Sequence, residues 1–524
     1  MDLANNAGRR WAPKFDPNSA FRLLLGLFAL LTLSLSALIP AWEANDEPDH
    51  FRNVQTLVSG RWYRMEPGAG YSAHQAPLYY LGLAAMQKVA GIPPFTPKLE
   101  GNPKAPQQGQ YVHNDAESQR RVTLLRLPSI LLGVLTVWLT RRVASRCGVG
   151  PWGAVLAAAI VATLPRFVFL SSVITNDNLV ITLGAWATLL AVGLVRDSIL
   201  STSRLLGFGA VLGLMLETKL SAFPIVAALA LGVAVTRLTR QARSRGSANS
   251  NALLTPEYNV EPGTGTARVS GEPPKFGKGQ DRRGAESSTL NARALGLIVA
   301  GTLLVAGPIL LSNQLRYGDP LASKASIDYF RELLPPLVAV PHTWNWFGEA
   351  VGSGFATSFW YVSGWNQFRW KAGTYVPLWL LAAIGLLGCF VRRNNSEAST
   401  HRHQNETENE TENETETETA NANANANANA NANANANANA NAHGVGLLAG
   451  VVVAAAAVVW LLATQTTQWQ ARTSFPGLAA FATLIAIGYR RLRIPTALQF
   501  LLPALSLAGT LYAIHTDVIN RYFT

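Results

Sequence analysis

The sequence predicts an all-α fold, a polytopic bundle of transmembrane helices, and three observations carry that prediction. Hydrophobic residues make up 49% of the 524 and charged residues only 14%, against roughly 25% charged in ordinary soluble domains. Apolar runs the length of a membrane span recur, among them Phe21–Trp42, Pro151–Phe169 and Gly444–Ala463. These runs are apolar all round rather than alternating, which excludes barrel strands and leaves helices as the structure that satisfies its backbone in lipid.

Taken in order, the runs place about eleven spans, near 21–42, 121–143, 150–172, 178–195, 204–218, 221–236, 293–312, 373–391, 444–463, 474–489 and 495–513. The first follows Arg9, Arg10, Lys14 and Arg22 and continues without a small-x-small cleavage site, so it is read as an uncleaved span. The apolar segment 77–91 is short and holds Gln87 and Lys88, which fits a helix lying along the outer surface. With 77–91 kept horizontal, the basic flanks Arg141–Arg146, Arg237–Arg245, Arg392–Arg393 and Arg490–Arg493 all fall on the side of the N-terminus. The positive-inside bias then makes the N-terminus cytoplasmic, the C-terminus non-cytoplasmic and the location a cell inner (plasma) membrane.

Five regions follow: an N-terminal membrane module 1–236, a basic linker 237–292, a membrane region with an aromatic outer loop 293–391, a linker 392–443 and terminal spans 444–524. The linkers are polar and low in complexity, the second running through Asn-Glu-Thr and Asn-Ala repeats; both are expected to be disordered and cytoplasmic. The net charge of +12 sits beside apolar runs, which points to membrane orientation and away from nucleic acid. Cys147 and Cys389 have neither metal-ligand spacing nor a disulfide framework.

The polar groups that interrupt this pattern are the candidates for chemistry. Immediately after the first span, Glu43-Ala44-Asn45-Asp46-Glu47-Pro48-Asp49-His50 puts four carboxylates and a histidine in eight residues. A solvated acidic loop is the plain alternative. An amphipathic stretch from His50 to Tyr63 follows, then His74-Gln75-Ala76-Pro77-Leu78-Tyr79-Tyr80, with Arg52, Arg61 and Arg64 supplying cations. Between spans three and four lies Asn176-Asp177-Asn178, preceded by Arg166. Lys219 either meets an anion or pairs with Glu217. The loop 313–372 holds Trp344, Trp346, Trp360, Trp365 and Trp370, which either anchor the headgroup region or stack on sugars.

In this order the motifs resemble those of the GT-C glycosyltransferases, which include protein O-mannosyltransferases and aminoarabinose transferases. The resemblance rests on the acids Glu43, Asp46 and Glu47 after span one, on Gln75-Ala76-Pro77-Leu78-Tyr79-Tyr80, and on Asn176-Asp177-Asn178. It covers residues 20–236 well and 293–513 loosely. The stretches NQLRYGDP (313–320), SFWYVSGW (358–365) and QARTSFP (470–476) are similar to a related bacterial group of predicted membrane proteins of undefined function. Ala471 and Thr473 depart from that group's Gly-Arg-Tyr-x-x-Pro pattern.

The resemblance implies an inverting sugar transfer from a polyprenyl-phosphate carrier to a glycan, lipid or protein acceptor on the non-cytoplasmic face. It implies Asp46 as base, with Glu43 and Glu47 as rivals, and Asp177 as the second-loop carboxylate that helps to hold the donor. Lys219, Arg472 and Arg52 are then the candidate phosphate contacts. His50, His74, Gln75, Tyr79, Tyr80, Asn176, Trp360 and Trp365 are expected to line the substrate. No metal ligands are assigned, although a divalent cation bound by His50 and Asp177 is considered. Membrane lipids are the remaining expected partners. A transporter or flippase of lipid-linked saccharide, or a non-catalytic envelope scaffold, are the alternatives.

Overall fold

The computed structural model describes residues 16–44, 46–96, 115–197, 201–254, 279–341, 343–363, 368–391, 444–467 and 470–520, with the backbone alone described over 240–254 and 279–291. Apart from one isolated bridge between Ser363 and Phe368, the regular structure among these residues is helical. The prediction of an all-α membrane bundle therefore holds. Eight helices are long and apolar enough to cross a membrane, namely Pro17–Leu38, Ala116–Arg146, Asp177–Arg196, Leu220–Thr239, Ala292–Tyr317, Gly444–Gln465, Ala471–Arg491 and Thr496–Ile519.

The other three expected spans are helical but shorter. The run 150–172 is split, because Leu164 precedes Pro165 and takes an extended conformation (φ −64°, ψ 112°). Helices α5 (Pro151–Thr163) and α6 (Pro165–Leu170) result. Thr202–Thr218 (α8) and Tyr375–Gly388 account for the rest.

The remaining labelled elements are α1 (Pro17–Leu38), α2 (Glu47–Val58), α3 (Leu78–Val89), α4 (Ala116–Arg146), α7 (Asp177–Arg196), α9 (Phe223–Leu254), α10 (Gly279–Tyr317) and α11 (Ser323–Leu333). Helices α9 and α10 run into the region assigned to the basic linker, so that segment is helical through Leu254 and again from Gly279. The second linker, 392–443, lies outside the described residues.

Helix ends show which way the bundle runs. Arg141 donates to Asn18 Oδ1 at 2.6 Å, beside the start of α1. Arg196 donates to the Arg146 carbonyl, Arg490 to that of Gly148, and Arg237 Nε to that of Leu194 at 3.0 Å. The basic flanks thus gather at one end. At the other end, Gln119 near the start of α4 donates to Ile39 O at 3.2 Å and accepts from Ala41 N at 2.6 Å, just past the end of α1. Everything between α1 and α4 therefore starts and finishes at one end, which a single crossing by α3 would prevent. Twelve residues also reach only about 18 Å, short of the roughly 30 Å of hydrocarbon.

Helices approach most closely where a side chain is missing. A Cβ on Gly301 of α10 would lie 2.3 Å from Leu206 O of α8, so these two helices pack backbone to backbone. A Cβ on Gly184 of α7 would lie 2.3 Å from Pro476 O. That second approach holds the turn containing Arg472 against the helix that begins with Asp177. Gly184→Ala must separate them and should lower thermal stability by about 1–3 kcal/mol. Gly207→Ala, which meets no atom within 4 Å, should leave it unchanged. Thermal unfolding of the purified full chain compares the two.

Candidate functional site

Helix α1 ends at Leu38, and the chain turns twice through left-handed backbone, at Trp42 (φ 71°) and Asp46 (φ 67°). Such φ values are uncommon outside glycine and persist only where neighbours enforce them. The enforcing contacts come from Glu47. Its carboxylate accepts from Arg126 Nε at 2.8 Å and NH2 at 2.6 Å, from Ile174 N at 2.9 Å and from Trp42 N at 3.3 Å. Arg126 spends its remaining donors on Ser36 O, Ile39 O and Pro40 O. Both side chains are fully buried. Glu47 was expected as a rival base; it instead ties α1, α2, α4 and the loop before α7 together, and it does not line the cavity.

The turn at Asp46 aims that residue the other way, into a cavity of about 310 Å³. Asp46 pairs with Arg472 NH2. Arg472 NH1 reaches Asp177 Oδ2 at 3.6 Å, and Lys219 Nζ donates to Asp177 Oδ1 at 2.5 Å. Two carboxylates and two cations from four distant stretches thus form one chain of ion pairs. Of the two options for Lys219, the structure shows an anion partner, the protein's own Asp177. Burial raises the Asp46 carboxyl, but Arg472, His50 and Lys219 together outweigh it and hold the group below the usual carboxylate range.

His50 and His74 line the same cavity. His50 Nδ1 meets Tyr80 OH at 2.6 Å and its Nε2 lies 3.4 Å from Thr175 Oγ1. Burial drives its pKa down to about 3, against the pull of Asp46 and Asp177. Burial likewise takes His74 to about 4. Gln75 links this wall to the second loop, accepting from Asn176 Nδ2 at 3.1 Å and donating to His74 at 2.8 Å.

Six expected site residues therefore line the cavity: Asp46, His50, His74, Gln75, Lys219 and Arg472. Asp177 and Asn176 sit just behind them, through the bonds above. The others are elsewhere. Glu43 is buried away from the lining. Arg52 pairs with its helix neighbour Asp49 at 3.0 Å, partly exposed. Tyr79 bonds Ser129 at 3.1 Å and Tyr80 is consumed by His50, so both support the wall without forming it. Trp360 is fully buried among Phe359 and Trp379. Trp365 lies outside the described residues. Among the described residues, no group of three or more His, Cys, Asp or Glu is placed to hold a metal ion, and both oxygens of Asp177 face protein cations.

Apolar side chains form part of the remaining wall. Phe223 and Pro224 at the start of α9 face Val458, Leu461 and Leu462 of the helix Gly444–Gln465. Ile327 and Phe330 of α11 add to the lining, with Phe330 stacked on Tyr71 at 5.0 Å. A charged pocket joined to an oily wall suits a ligand with an anionic head and an apolar tail.

Fold and site together define a polytopic helical membrane protein with an acidic first loop and an ion-paired cavity at one end. Residues 119–249 match the family described as Dolichyl-phosphate-mannose-protein mannosyltransferase. That family is one of the GT-C glycosyltransferases, so the resemblance drawn from the sequence holds. Among solved structures the chain is similar to ArnT from Cupriavidus metallidurans bound to undecaprenyl phosphate. The identity is 12% and the TM-score 0.45, over 94% of this chain and 65% of that one. Against ArnT from the same organism in the apo state the identity is 12% and the TM-score 0.29, over 90% and 78%. The chain thus spans less than two thirds of the length of the lipid-bound structure. No curated protein sequence matches it.

The buried histidines give a prediction with a definite sign. His50 binds a proton readily when unfolded (pKa near 6.5) but in the fold only near pH 3. The unfolded state therefore holds more protons between those values, and stability falls as pH drops through that window. From pH 7.5 to pH 5 this single group should cost about 2 kcal/mol. Thermal unfolding at the two pH values should show a smaller drop for His50→Gln than for the wild type.

Proposed function

We propose that this protein is an integral membrane glycosyltransferase that moves a sugar from a polyprenyl-phosphate carrier to an envelope acceptor on the non-cytoplasmic face. The observation that carries the reading is the convergence of Asp46, Asp177, Lys219 and Arg472 on one cavity with an apolar wall. The match of 119–249 to a family described by a lipid-phosphate sugar donor supports the same class. The basic flanks at the opposite end of the bundle favour a cavity that opens away from the cytoplasm.

In this reading the carrier's isoprenoid chain lies along Phe223, Pro224 and Leu461, and its phosphate meets Lys219 and Arg472. On the same reading Arg472 turns from Asp46 to that phosphate. Arrival of the donor therefore releases the Asp46 carboxylate, which then accepts the proton of the acceptor hydroxyl. The hydroxyl oxygen bonds to the anomeric carbon from the face opposite the phosphate, and the carbon–oxygen bond to phosphate breaks with its electron pair. The phosphate leaves as an anion held by the two cations, and the product has inverted configuration. His50 stays neutral throughout and serves as a hydrogen-bonding wall. The five-region division of the chain belongs to the same proposal, with the catalytic machinery in 1–236 completed by Arg472 from the terminal region.

Loss of a positioned base costs roughly 10²–10⁴-fold. Asp46→Asn should therefore fail to restore the envelope glycans that a deletion strain lacks, while reaching wild-type levels in the membrane. Mass spectrometry of envelope glycans reads the result. Full restoration by Asp46→Asn would rule out Asp46 as the base.

A further inference from the structure

Arg166 is a charged side chain near the cavity that the reading above leaves without a task. It sits in α6, and its side chain is almost completely buried, 1% exposed. NH1 donates to Val362 O and NH2 to Gln470 Oε1 at 3.1 Å, while Nε has no hydrogen-bond partner. Among the described residues no carboxylate comes within ion-pair distance of it. A buried guanidinium without a counter-ion is costly, and folds keep one where an anion is to be met.

Its surroundings identify the anion. Gln470 lines the cavity two residues before Arg472, and the electrostatic reach of Arg166 includes Arg472, Asp177 and Asp46. Asp46 and Asp177 pair with Arg472 and Lys219, whereas Arg166 makes no ion pair among the described residues. Its charge acts on whatever occupies the cavity through a buried, poorly screening wall.

Resting on the proposed function, we infer that Arg166 is a positioning residue for the donor: it supplies a positive charge that makes the cavity prefer a phosphate-headed lipid over a neutral one, and it holds Gln470 and thereby the Arg472 turn in place. It does not itself touch the reacting atoms. Its charge and its hydrogen bonds are separable by substitution. Arg166→Gln keeps a polar side chain and removes the charge; Arg166→Lys keeps the charge and removes the two-pronged contact.

The test uses the full chain in nanodiscs with two probes, undecaprenyl phosphate and the neutral undecaprenol. Wild type should bind the phosphate form roughly tenfold tighter or more, as expected for hydrogen bonds to a charged group in a desolvated site. Arg166→Gln should lose most of that preference while binding undecaprenol as before. Arg166→Lys, which keeps the charge but not the two-pronged contact, should retain more of the preference than Arg166→Gln. The inference is overturned if Arg166→Gln keeps the full preference, if Arg166→Lys loses as much as Arg166→Gln, or if Arg166→Gln loses both lipids together, which would make Arg166 a support of the fold alone. A wild type with no preference for the phosphate form would instead sink the functional reading on which this inference rests.

Discussion

One buried ion pair, Glu47 with Arg126, fixes the geometry on which the cavity depends. Ion pairs out of water gain little net stability, because desolvation offsets attraction. What they supply is a single arrangement, since leaving either partner alone is costly. Here the pair also satisfies two backbone amides and three carbonyls. It pins the residue next to Asp46 and the loop that leads into Asp177. The left-handed turn at Asp46 is tolerable because its neighbour cannot move, and that turn separates a structural acid from a cavity-facing one.

Under the proposed function the cavity works by partner exchange. Its two cations are engaged by carboxylates of the same chain. In the proposed reaction a lipid phosphate competes with Asp46 for Arg472, and success both anchors the donor and exposes a base. Such a site discourages a hydroxyl from being activated before a donor is present. The apolar wall between α9 and the helix Gly444–Gln465 serves the same economy, because a tail that must lie in oil selects for lipid carriers over soluble phosphates.

Much of this was legible in the sequence, and the parts that were not share a physical cause. The spans were readable because lipid demands long runs of apolar side chains, and Pro165 alone was enough to shorten one. Asp46, Lys219 and Arg472 were readable because a charge at the end of an apolar run is expensive without a use. Sequence could not say which of Glu43, Asp46 and Glu47 faces the cavity, since neighbouring positions point in different directions and one φ angle decides between them. Arg126 could have been found by the same rule as Asp177: it is a charge inside the run 121–143. Its partner, however, is 79 residues away, and no local pattern joins the two. Trp360 misled because aromatic residues after a span serve packing and binding alike, and only contacts with Phe359 and Trp379 distinguish them.

The central claim is that the Glu47–Arg126 pair holds two remote carboxylates to one cavity, and a double-mutant cycle tests it most directly. Glu47→Gln, Arg126→Gln and the double variant would be compared for thermal unfolding and for binding of undecaprenyl phosphate. The account predicts a coupling of about 2 kcal/mol or more, with either single change abolishing lipid-phosphate binding as completely as the double. Additive single effects, with lipid-phosphate binding intact in each, would contradict it.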